Sequence, residues 1–114
     1  MKFALLIVGD EADWEALDEA QHSAAMSEIM AWFERWGAAG KVADGGAELA
    51  GSSQARTVRA GTVTDGPFME SKEVVGGVTF LDADSIDEAV EIASTWPGVA
   101  EARIAVEVRP VIEH

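Results

Sequence analysis

The chain has 114 residues, no cysteine, and 21 acidic against 8 basic side chains, a formal charge of −13. Without cysteine there are no disulfides, thiolate nucleophiles, Cys-based zinc sites or iron–sulfur clusters. So acidic a chain repels phosphate backbones and anionic lipid, which argues against nucleic acid or a membrane surface as partner. A chain of this length is expected to form one domain, residues 1–114, and to bury about two-thirds of its unfolded surface without metal or disulfide staples.

Phe3–Val8 is a short apolar run closed by Gly9-Asp10, and it reads as a central strand covered on both faces. It is too short for a secretory leader or for a span of about 20 residues, so a cytoplasmic protein is expected. Asp10 to Glu19 is acidic, with Trp14 and Leu17 as apolar anchors, and reads as a loop with one helical turn. From Glu19 to about Ala39 the pattern turns helical. His22, Met26, Ile29, Phe33 and Trp36 form one stripe, with Met30 and Trp32 flanking or widening it. Gly37 and Gly40 close that helix.

Lys41 to Gly51 carries only a weak strand signal, through Val42 and Ala43. Arg56–Arg59 and Thr62–Thr64 alternate around Ala60-Gly61 and predict a β-hairpin. Asp65-Gly66-Pro67-Phe68 then leaves the sheet, because Pro67 has no N–H for a ladder. Val74–Leu81 returns as a strand in which Gly76-Gly77 permits a bulge or a close backbone approach. Ser85 or Asp84 caps a second helix with Ile86, Ala89, Val90 and Ala93 on its apolar stripe, stopped by Pro97-Gly98. Ala102–Val111 alternates as a last strand with Ile104, Val106 and Val108 on one face. The order is β-α-β-β-β-α-β on a βαββαβ skeleton, the ferredoxin-like α+β arrangement with an antiparallel sheet. Its uncovered sheet face calls for a homodimer.

Half of the eight cations lie between residues 41 and 73: Lys41, Arg56, Arg59 and Lys72. An anionic small molecule would be attracted there; the alternative is solvated strand ends paired with nearby acids. In Asp65-Gly66-Pro67-Phe68-Met69-Glu70-Ser71-Lys72-Glu73, Gly66 permits positive φ and Pro67 fixes its own φ. An extended run puts Glu70 and Lys72 on one side and Glu73 on the other. Two readings stand: a carboxylate at a cleft mouth with Lys72 beside it, or a structural turn in which Asp65 accepts from turn amides and Lys72 pairs with a carboxylate.

This segment, followed by Val74-Val75-Gly76-Gly77, resembles the DGPF-motif branch of the YCII-related family. Gly9-Asp10-Glu11, Ala38-Ala39-Gly40 and Val106-Glu107-Val108-Arg109-Pro110-Val111 extend the likeness along the chain. The resemblance implies a ferredoxin-like domain that pairs into a dimeric α/β barrel, and relatives linked to sigma factors imply regulation as one role. The wider family is associated with a His–Asp site whose histidine lies on the first helix. Here the corresponding position falls near Ile29, and His22 lies two turns earlier, so that histidine role is not carried over.

Two functional expectations follow. In the first, a binding or regulatory homodimer takes a small molecule against Trp32, Trp36, Phe68 and Phe80, with Arg56, Arg59, Glu70 or Lys72 at its polar end. In the second, related dimeric barrels imply a cofactor-independent enzyme on small cyclic or aromatic metabolites, with Asp65 as acid/base assisted by His22. Neither expectation calls for a cofactor or a metal. There is no phosphate loop, nucleophile elbow or zinc spacing in the sequence.

Overall fold

The computed structural model describes residues 1–114. Strand β1 (Lys2–Asp10) runs into a short helix α1 (Glu11–Glu15) and then the long helix α2 (Glu19–Ala38). Strand β2 (Val42–Glu48), a 3-10 turn (Ser52–Gln54), the hairpin β3 (Arg56–Arg59) and β4 (Thr62–Asp65), strand β5 (Glu73–Asp82), helix α3 (Ile86–Ser94) and strand β6 (Ile104–Pro110) complete the chain. The main sheet has the order β2-β5-β1-β6 and every neighbouring pair is antiparallel. That is the strand order of a ferredoxin-like α+β fold, with β3 and β4 set apart as a two-stranded sheet of their own.

Alternation along β1 separates two environments. Phe3 and Leu5 are completely buried and meet Leu81, Ala83, Trp32, Ala89, Ile92, Ala93 and Trp96 in one core. Ile104, Val106 and Val108 of β6 pack against the same core, which corrects the expectation that they join Val78 and Phe80 in the sheet surface left for a partner. The opposite face carries the cross-strand pairs Ala4–Phe80 and Leu6–Val78, and no helix covers it. The first strand is thus covered by helices on one face only, not on both as the continuous apolar run implied.

Each helix has a sequence-encoded start. Asp10 caps α1, its carboxylate accepting from the Ala12 N–H at 2.9 Å. Asp18 and Gln21 form a capping box at α2, and the Ser85 hydroxyl, rather than Asp84, accepts from the Glu88 N–H at α3. The α2 stripe lies on the expected side, but its centre is Trp32, the one fully buried residue of that helix. Trp96 decides this: its ring stands 4.8 Å from Trp32 and 5.6 Å from Phe33, both edge-on. Two irregularities shape the sheet. Gly76 is passed over between the pairs Ile7–Gly77 and Val8–Val75, the bulge expected there. Asp44-Gly45-Gly46 interrupts β2 between its pairs with Phe80 and Val78. A Cβ on Gly46 would stand 2.8 Å from the Val78 carbonyl oxygen, so only glycine lets β2 lie this close.

Candidate functional site

The chain leaves β2 through Leu49-Ala50-Gly51 and the 3-10 turn, and returns to β5 through Gly66–Lys72. Between these two crossings lies a groove of ≈ 460 Å³, walled by Leu49, Ala50, Ala55, Pro67, Met69, Val74 and Val75, with Ser52, Gln54, Ser71 and Glu73 as polar lining. The Leu49 N–H donates to the Gly76 carbonyl at 2.9 Å, tying the first crossing to the β5 bulge. The Gly66 N–H donates to Ala55 O and the Thr57 hydroxyl donates to Gly66 O, both at 2.8 Å, closing the base of the hairpin.

The strongest tether comes from Glu11, the first residue of α1. Its carboxylate accepts from the Ser52 N–H at 2.9 Å and from the Ser52 hydroxyl at 2.7 Å. These two bonds hold the Glu11 carboxyl below its ordinary range, because they favour the charged form. Neighbouring Asp10 is only 14% exposed at its side chain and stands 3.6 Å from the Lys72 ammonium, which is 84% exposed. Asp10 is paired in register with Glu73, and Lys72 offsets the repulsion of these facing acids.

The motif bends at Gly66, Phe68, Met69 and Lys72 rather than running extended, yet its residues still divide between two sides. Pro67, Met69, Ser71 and Glu73 line the groove, whereas Phe68, Glu70 and Lys72 are not among its walls. Glu70 is exposed. Phe68 lies under the Arg59 guanidinium, 5.2 Å from carbon to ring centre, beside a second hollow with Thr57, Thr62 and Thr64. Asp65 accepts no backbone hydrogen bond. Its carboxylate, 91% exposed, pairs with Arg56 across the hairpin at 3.1 Å, so it neither holds turn amides nor stands at the mouth of the groove, the two alternatives the motif offered. Gly66 does take positive φ, +93°.

The remaining candidates lie elsewhere. His22 is exposed at the start of α2 and packs on Trp14, ring centres 4.6 Å apart. Neither His22 nor Asp65 lines the groove or the second hollow. Trp32 and Trp36 line neither the groove nor the second hollow: both indole N–H groups donate to the Thr95 hydroxyl, at 2.9 and 3.0 Å. Lys41, another of the central cations, is paired with Glu88 at 3.0 Å. That bond raises the Lys41 pKa; the Asp84 N–H, followed by Lys41, lowers that of Glu88. No group of three or more His, Cys, Asp or Glu side chains is placed to hold a metal ion.

Glu11 and Ser52 are the positioning residues that the sequence reading passed over. They are separated by 41 positions, and no periodicity links them. The one local signal was an acid placed directly after a strand-capping Asp10, which reads first as helix-start chemistry.

The comparisons with known proteins agree with this architecture. An uncharacterized protein of Rhizobium meliloti (strain 1021) is 32% identical over 115 residues, covering 97% of this chain and 92% of its own length. Among solved structures, 5-chloro-2-hydroxyhydroquinone dehydrochlorinase from Burkholderia phenoliruptrix, in complex with 2,5-dihydroxybenzoquinone, superposes with a TM-score of 0.62 over 100% of this chain and 96% of its own. At 16% identity this is a likeness of fold. The YCII-related domain matches residues 1–114 from end to end, and the chain therefore belongs to the YCII-related family.

Proposed function

We propose that this chain is a single-domain, cytoplasmic homodimer that binds a small organic molecule in the groove between Leu49–Ala55 and Pro67–Val75. The observation that carries the reading is the groove itself. Its ≈ 460 Å³ falls in the size range of small-molecule sites, roughly 300–1,000 Å³. Its walls are mostly apolar, its polar groups are few, and a two-point carboxylate tether fixes one wall. Such a lining suits a compact ligand with an apolar body and a hydrogen-bonding edge. The homodimer reading rests on the uncovered sheet face, where Ala4, Leu6, Val78 and Phe80 are contiguous. Two such faces packed together would form the dimeric barrel and bury on the order of 1,600 Å². No helix is long and apolar enough to cross a membrane.

A second reading, a cofactor-independent enzyme on small cyclic or aromatic metabolites, draws on the fold shared with 5-chloro-2-hydroxyhydroquinone dehydrochlorinase. In that reading Asp65 serves as acid/base with His22 assisting. Asp65 stands in open solvent beside Arg56, so this role requires a partner subunit to enclose it.

Thermal melts with a panel of hydroxylated aromatic and small acidic metabolites test the binding reading. At least one compound class should raise the Tm, and Ala50→Trp, which fills the groove, should abolish that rise without lowering the Tm of the free protein. A Tm rise that survives Ala50→Trp would place the ligand elsewhere. Turnover of any panel compound that is lost in Asp65→Asn would favour the enzyme instead.

A further inference from the structure

We propose that the β3–β4 hairpin is an arm that clasps a second copy of this chain. The proposal deepens the homodimer reading and rests on it, adding a contact that the sheet face does not supply. The hairpin is not hydrogen-bonded into the main sheet, and no other element packs extensively against it. The radius of gyration is 15.2 Å, where a compact chain of this length would have about 13 Å. An isolated two-stranded hairpin is only marginally stable in water, yet this one exposes apolar side chains on both of its faces. Val58 and Val63 form a cross-strand pair and are 71% and 63% exposed. On the opposite face Phe68, 65% exposed, is held under Arg59.

Charge selects the occupant. Residues 56–65 contain two arginines and one acid, Asp65, which pairs with Arg56; their balance is +1, while the rest of the chain has six bases against 20 acids, a balance of −14. The arm is therefore the part of the molecule that the acidic exterior of another copy attracts rather than repels. In the clasp the valine pair covers apolar surface of the second copy, and Arg59, kept extended by Phe68, faces its acids.

Sedimentation equilibrium over a range of concentrations and salt tests the clasp. Val58→Thr/Val63→Thr keeps β-branched side chains but removes apolar contact, and it should raise the dimer Kd at least tenfold. Arg59→Gln should raise the Kd at low salt and flatten its salt dependence. Hydrogen exchange at residues 56–65 should slow as wild-type concentration rises, which reports on the arm without any substitution. Leu6→Arg on the uncovered sheet face separates the two readings. If Leu6→Arg abolishes the dimer while the arm variants associate like wild type and the arm amides stay unprotected, the clasp is wrong and the sheet-face dimer stands. If Leu6→Arg dimerises normally and the arm variants do not, the sheet-face reading falls and the arm carries the contact. A wild type that stays monomeric at all concentrations overturns both.

Discussion

Thr95 holds two indoles with one hydroxyl while donating its own proton to Ile92 O at 2.6 Å. Trp32 is buried, 4% exposed, so its N–H has no water to turn to. Thr95→Val keeps the shape and deletes the acceptor, and it should cost about 1–3 kcal/mol of stability in urea unfolding. Glu11 is a second single-residue device, with a pH signature. Its folded pKa lies below the ordinary 4.5, so its bonds to Ser52 contribute stability above that value and lose it as pH falls through the lowered one. Glu88 behaves in the same direction. Lys41, raised above 10.5, contributes below that value and loses its contribution as pH rises through the raised one. Glu11→Gln should therefore lower the Tm near neutral pH, and the difference should shrink as pH falls below 4.5 and through the lowered pKa. A Tm difference independent of pH would show that the charge on Glu11 is not what holds Ser52.

At the scale of elements, turns rather than strands set the most stringent sequence requirements. Gly66 and Gly98 both have φ +93°, but their surroundings differ. A Cβ on Gly66 would meet nothing within 4 Å, whereas one on Gly98 would come within 2.9 Å of Ile104 Cγ1. Gly66→Ala should cost about 1 kcal/mol, from backbone strain alone, and Gly98→Ala distinctly more, because it also displaces a core side chain. Equal losses in chemical denaturation would contradict this difference in packing. Much of the element pattern was legible in the residues: the α2 stripe, the Ser85 cap, the stop at Pro97-Gly98, the hairpin turn at Ala60-Gly61 and the Gly76 bulge all have local signals. The length of β2 did not, since Asp44-Gly45-Gly46 has no strand propensity and is carried along by the flanking pairs of Ala43 and Ala47 with β5. Trp32 was displaced from the centre of its stripe because periodicity fixes a face of a helix, while the partner, here Trp96, fixes its midline. The groove was legible only on its motif side; the Glu11–Ser52 tether depends on the fold bringing distant segments together.

At the scale of the whole molecule, shape and charge act together. The chain measures 43 × 42 × 21 Å and carries −13. At 0.01 M salt the screening length is about 30 Å, more than the thickness of the slab, and at 0.15 M it is about 8 Å. Acids on both faces therefore repel one another at low salt and largely cease to do so at physiological salt. The Tm should rise as neutral salt is added over this range, and calorimetry in sodium chloride at fixed protein concentration checks it. A Tm that falls with salt would mean that favourable ion pairs such as Lys41–Glu88 outweigh the repulsion.

The placement of β1 has a consequence for the order in which the chain can assemble. It lies between β5 and β6, its residues 2–10 pairing with 73–82 on one side and 104–110 on the other. During synthesis, at about 5–20 residues per second, Phe3–Val8 emerges several seconds before the first segment able to pair with it. Until then six consecutive apolar residues face solvent or a chaperone. Early structure is limited to local elements such as α2 and the β3–β4 hairpin, and the main sheet must wait for β5 to leave the ribosome, since closing that long loop precedes the contacts that reward it.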